Sequence, residues 1–187
     1  LGPLLQADAK LAAYVLKTNL TATNTAQMDF TLGSLYFQMG DFPRATDAYQ
    51  TAIDKFPDFR RAHKNLGFSL LKQGRYTAAI NPLSRTIALG DRDATTYGLL
   101  GFCFATAERN IPAEAAYQQA ILFQPDNPDW RLGLVKTLVA QEKLSEANRL
   151  IDEVLQRDPG SVAMWELQAG VYARMEKPGS AAVNYEV

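Results

Sequence analysis

The chain has 187 residues, is 47% apolar and 21% charged, and sets 19 Lys and Arg against 20 Asp and Glu for a net charge of −1. That composition belongs to an ordinary globular chain, and the near-neutral balance, without any Lys/Arg-rich run, argues against a nucleic-acid binder, which needs concentrated positive potential. No apolar run is long enough to cross a bilayer, and no secretory signal opens the chain.

Residues 4–17 place Leu4, Leu5, Leu11, Ala12, Val15 and Leu16 at spacings suited to an amphipathic helix. Residues 18–25, rich in Thr and Asn, form a link, and Asn24 or Thr25 can cap the helix that follows. From there the chain repeats. The pair Leu-Gly stands at Leu32-Gly33, Leu66-Gly67 and Leu100-Gly101, each time 34 residues on. A fixed period of that length marks an array of helix–turn–helix units.

The first unit, 26–59, continues with Tyr36, Gly40-Asp41-Phe42, Ala45, Tyr49, Ala52 and Pro57. The second, 60–93, keeps Leu70, Gly74, Tyr76 and Ala79 but has Thr86 and Asp91 where Ala and Pro are expected. Its Pro82 falls well inside the second helix and predicts a kink. The third, 94–127, keeps Tyr97, Phe104, Ala113, Tyr117, Ala120 and Pro125, while Glu108-Arg109-Asn110 replaces the glycine turn. Asn127-Pro128 then caps and opens a helix. The fourth, 128–161, has Leu134-Val135 in place of Leu-Gly and retains Leu138, Leu144, Ala147, Ile151, Val154 and Pro159. The fifth, 162–187 and incomplete, is opened by Ser161 and carries Trp165, Tyr172, Pro178, Ala181 and Tyr185.

This pattern resembles the tetratricopeptide repeat (TPR) family over residues 26–187, five units in one register. The resemblance implies an all-α, right-handed superhelical solenoid of antiparallel helix pairs. Residues 1–25 are then a capping helix or the remnant of a preceding repeat, since Ala12 and Leu16 fall where an earlier second helix would place its small and large residues. Neither helix of a pair can bury its apolar face alone, so neighbours share one core. Most of the aromatic and alanine positions are therefore expected to serve packing.

Nothing in the chain points to catalysis, a cofactor or a metal. One histidine, His63, and one cysteine, Cys103, do not make a metal-ligand cluster. Cys103 reads as a buried small apolar residue, and His63 stands where the family often carries a large aromatic. No phosphate-binding glycine loop and no Gly-x-Ser-x-Gly is present. The expectation is a noncatalytic scaffold.

In TPR proteins the first helices line a concave groove that holds peptides. Carried onto this chain, the candidate groove residues are Phe30, Phe37, Arg61, Lys64, Asn65, Phe68, Lys72, Phe102, Lys136 and Arg174, with Ser34, Thr95, Gly98, Thr106, Asp129 and Leu132 among their neighbours. Four phenylalanines flanked by basic side chains suit a protein or peptide with apolar anchors and acidic flanks. The family's carboxylate-clamp subtype is not matched: Phe30 and Ser34 replace its first Lys and Asn, and Thr95 and Leu99 its later basic pair. The alternative is a structural segment of a longer TPR protein in a bacterial envelope or secretion assembly, or a self-associating module. The apolar Ala182, Val183, Tyr185 and Val187 favour association through the C-terminal end. A chain that begins at Leu1 and stops inside a helix is expected to be a fragment, so a targeting segment and the compartment are left open.

Overall fold

The computed structural model describes residues 26–175. The predicted helix over 4–17, the caps at Asn24 or Thr25, and the C-terminal Ala182, Val183, Tyr185 and Val187 lie outside those residues. The described residues form nine α-helices and no strand. The chain divides into two compact units at Arg92–Asp93. The first contains α1 (Ala26–Gln38), α2 (Phe42–Lys55), α3 (Arg60–Lys72) and α4 (Tyr76–Ala88). The second contains α5 (Ala94–Thr106), α6 (Asn110–Phe123), α7 (Pro128–Ala140), α8 (Leu144–Arg157) and α9 (Val162–Met175). Within each unit successive helices pack on one another, and α1 also touches α3, α5 touches α7, and α7 touches α9.

The Leu-Gly period has a steric cause. A Cβ at Gly33 would lie 2.7 Å from Tyr49, one at Gly67 2.6 Å from Leu83, and one at Gly101 3.0 Å from Tyr117. The glycine lets the second helix of each pair seat a large side chain against the backbone of the first. Where the pair is lost, Val135 stands with Ile151, and both are fully buried in the core of the second unit. Ala45, Ala79, Ala113 and Ala147 have no exposed surface, which is what close helix approach requires.

The turns repeat as strictly. Asp41, Arg75, Arg109 and Lys143 each donate a backbone N–H to the carbonyl five residues earlier, at Tyr36, Leu70, Phe104 and Leu138. This closes each first helix in a Schellman-type turn. The residue before each donor is left-handed: Gly40 (φ 76°), Gly74 (φ 71°), Glu108 (φ 57°) and Glu142 (φ 58°). The third and fourth turns thus keep the geometry without the glycine. Asn127 caps as its sequence signal predicts, accepting from Asp129 N at 2.9 Å with Pro128 behind it, and the structure adds two more side-chain caps: Asp41 accepts from Arg44 N and Asp93 from Thr95 N. Helix α4 runs through Pro82 as one helix, with Thr86 Oγ1 donating to the Pro82 carbonyl at 2.8 Å.

In two places a polar bracket joins a second helix to the first helix that follows. Gln73 Nε2 donates to Phe42 O (3.1 Å) and Thr46 Oγ1 (2.7 Å), and Ser69 Oγ donates to Phe42 O (2.8 Å). Two periods on, Gln141 Nε2 donates to Asn110 O (3.4 Å) and Glu114 Oε2 (2.7 Å). Lys143 Nζ also meets Glu114 at 2.7 Å. That hydrogen bond, ahead of the one from Gln141, holds the Glu114 carboxyl below its usual range.

Candidate functional site

Helices α5 and α7 lie side by side in the second unit, and the cleft between them gathers several of the sequence-predicted groove residues. Its volume is ≈420 Å³, and its lining includes Phe102 and Thr106 of α5 and Asp129, Leu132 and Lys136 of α7. Phe102 is 41% exposed, a large apolar surface to leave in water. The period of 3.6 residues puts 129, 132, 133 and 136 on one face of α7. Asp129 and Lys136 are two turns apart, roughly 10 Å, so the cleft is negative at one end and positive at the other.

The floor comes from α6. Tyr117 is 5% exposed yet lines the cleft. It reaches there because Gly133 has no side chain: a Cβ at Gly133 would lie 2.4 Å from Tyr117 Cζ and 2.8 Å from its Oη. Burial, and behind it the neighbouring Cys103, pushes the Tyr117 phenol up to about 12. Cys103 is fully buried, as expected for a small apolar residue, and burial raises its thiol to about 11.

Phe102 and Lys136 are therefore brought together. Gly98, expected to be open, is instead buried. The Trp130 ring covers it, with Cζ3 2.3 Å from where a Cβ would stand. Trp130 Nε1 is buried without a partner among the described residues.

In the first unit the candidates are largely engaged internally. Phe30 is a correction: it is 5% exposed, with its ring 5.7 Å from Tyr49 and 5.0 Å from Phe59. Two aromatic neighbours draw it into the core, and the exposed Arg61 guanidinium sits 4.8 Å over it. Phe37 is half-buried against the edge of Phe42 at 5.3 Å. Asn65 Nδ2 donates to Tyr49 Oη (3.3 Å), which donates to Ser34 Oγ (3.4 Å). Lys64 pairs with Asp91 at 3.3 Å and lies 5.9 Å from the Phe68 ring centre. Phe68 is half-buried and Lys72 exposed. In the second unit Arg174 is drawn to the turn after α7, where it meets Glu142 at 3.8 Å and donates to Val139 O at 3.4 Å.

A second cleft of ≈340 Å³ lies where α7, α8 and α9 meet, with Asp126, Arg131, Arg157 and Asp158 giving it mixed charge. Among the described residues no three of His, Cys, Asp and Glu are placed to hold a metal ion. None of the described helices is long and apolar enough to cross a membrane.

Sequence reasoning missed the floor, Tyr117 with Gly133. The available signal was Gly133 itself, since a glycine inside a helix costs about 1 kcal/mol relative to alanine and is retained where something approaches closely.

Residues 30–94 and 107–171 each match a tetratricopeptide repeat family model. The chain belongs to the tetratricopeptide repeat family. It is an all-α TPR solenoid. It is 28% identical over 142 residues to stress-induced-phosphoprotein 1 of Caenorhabditis elegans, which covers 72% of this chain and 44% of that protein. It is 25% identical over 133 residues to the tetratricopeptide repeat-containing protein trd-1 of the same species, 71% of this chain and 17% of that one. The chain thus spans less than half the length of these curated relatives. Among solved structures it is similar to YrrB, described as a TPR protein with an unusual peptide-binding site. The TM-score is 0.78 at 18% identity, over 90% of this chain and 88% of that one. At that identity the likeness is one of fold.

Proposed function

We propose that the chain is a noncatalytic protein–protein interaction module that holds a peptide or partner segment in the cleft between α5 and α7. The observation that carries this reading is Phe102, 41% exposed on the wall of a ≈420 Å³ cleft that Lys136 also lines. An exposed aromatic beside a cation suits a partner with an apolar anchor and an acidic flank. The peptide-binding site of YrrB, on the same fold, supports a peptide as occupant. Family membership favours a scaffold rather than an enzyme.

The test is capture of partners from a source lysate by wild type and by a Phe102→Ala, Lys136→Glu double variant. The folded double variant should lose them with its helicity unchanged. Equal capture by both would overturn the cleft assignment.

Self-association is favoured by a different surface. Val162, Trp165, Tyr172 and Met175 of α9 are 43–66% exposed, and the occupant proposed for them is a second copy of the chain. Sedimentation that stays strictly monomeric well above micromolar concentration would remove that reading.

A further inference from the structure

The same repeat position carries a tyrosine in both units, and the two hydroxyls are in different situations. Tyr49 Oη bonds to Ser34 Oγ at 3.4 Å and Asn65 Nδ2 at 3.3 Å. Two periods on, Tyr49 becomes Tyr117, Ser34 becomes Phe102 and Asn65 becomes Gly133. Neither Phe nor Gly has a side-chain hydrogen-bonding group. Tyr117 thus lacks the two side-chain partners of its counterpart. Its titration reflects this: burial and Cys103 shift it, whereas Tyr49 also feels the bonds to Ser34 and Asn65. The same substitutions open the cleft. Gly133 uncovers the phenol, and Phe102 supplies an apolar wall.

The Tyr117 hydroxyl opens onto the cleft and is not sealed in the core, so a ligand atom can reach it there. The phenol stays protonated at neutral pH and donates. Lys136, one turn beyond Gly133 on the same face of α7, lines the cleft and, unlike the phenol, can only donate. Two donors, one of them charged, select an anionic acceptor. Asp129 at the other end repels a second carboxylate and sets the direction of the chain. The depth of Tyr117 calls for an acid on a stem.

We propose that Tyr117 is a specificity-determining residue: its hydroxyl and the Lys136 ammonium together take the side-chain carboxylate of a glutamate in a partner peptide, whose methylenes lie between Phe102 and Leu132. This rests on the interaction reading given above.

The experiment uses an array of dodecapeptides, acetylated and amidated so that no terminal carboxylate competes, each glutamate sequence beside its glutamine twin. The intact chain should retain selected glutamate members at least roughly ten-fold better than their twins, as expected for a charge-assisted hydrogen bond. Tyr117→Phe and, separately, Lys136→Met should each cut that preference by most of its value, and Tyr49→Phe should leave it. Lys136→Met changes an exposed residue and serves as the deciding variant should Tyr117→Phe fail to reach wild-type helicity. Absence of any glutamate preference overturns the inference, as does an unchanged preference in folded Tyr117→Phe or in Lys136→Met. If Phe102→Ala abolishes retention while those two variants keep the preference, the interaction reading stands and this inference falls. If Phe102→Ala retains the array as wild type does, both fall.

Discussion

His63 and Trp165, three repeat periods apart, make the same bond: each ring nitrogen reaches the carbonyl of a proline six residues earlier, His63 Nε2 at 2.8 Å from Pro57 O and Trp165 Nε1 at 2.9 Å from Pro159 O. The carbonyl can only accept, so His63 carries its proton on Nε2. Different rings make the same bond because each is a flat side chain with a distal N–H; the position carries Asp29, Tyr97 and Arg131 in the other units. His63→Phe, which keeps the ring and removes the N–H, should cost about 0.5–1.5 kcal/mol. His63→Trp should be closer to wild type. Urea unfolding of the three proteins checks the order, and a neutral His63→Phe would show the bond to be incidental.

Glu108 occupies the left-handed position that Gly40 and Gly74 hold in the earlier turns. A side chain there is strained by roughly 1 kcal/mol. Glu108→Gly should therefore raise the melting temperature even though it removes atoms, and Gly74→Ala should lower it. Calorimetry of the pair decides, and a destabilised Glu108→Gly would mean the Glu108 side chain contributes more than its backbone costs.

Two helical glycines should respond in opposite directions. Gly133→Ala drives a methyl to within 2.4 Å of the Tyr117 ring and should cost about 1–3 kcal/mol. Gly170, with nothing within 4 Å of an added Cβ, is exposed on α9, and Gly170→Ala should stabilise by about 0.5–1 kcal/mol. Chemical denaturation reads both. A Gly133→Ala protein as stable as wild type would mean the α6–α7 approach is looser than described.

Alkaline stability follows from two raised acids. The Cys103 thiol moves from an ordinary 9.0 to about 11, and the Tyr117 phenol from 10.0 to about 12, both through burial. The unfolded chain loses these protons first. The stabilisation is therefore intact below pH 9.0, and falls as pH rises through about 11 and then about 12. Melting temperature should hold up to pH 9.0 and decline above it, with Cys103→Ala removing the earlier part of the decline. A Cys103→Ala profile superimposable on wild type would contradict the assignment.

The features legible in the sequence were those fixed by contacts within a repeat. The Leu-Gly pairs, the alanines and the Asn127-Pro128 start recur or signal locally because each one solves a steric or capping problem inside one helix pair. The candidate site was less legible, because exposure depends on what a neighbouring repeat supplies. Gly98 was roofed by Trp130 and Arg174 was held by Glu142, each from the neighbouring repeat, while Phe30 was drawn inward by Tyr49 and Phe59 of its own unit. Position within a repeat gives no information on those partners. Tyr117 shows the converse: packing was a sufficient reason for the residue, and its reach into the cleft depends on a glycine one helix away.

The brackets from Gln73 to Phe42 and from Gln141 to Asn110 put the mechanical module out of phase with the written motif. The motif counts a first helix and then its second, whereas these bonds tie a second helix to the first helix of the following repeat. Grafts cut at motif boundaries would sever every bracket they cross. A segment cut from Phe42 to Gly74, or from Asn110 to Lys143, carries its own bracket whole. Such a segment is the natural currency for lengthening or shuffling this array.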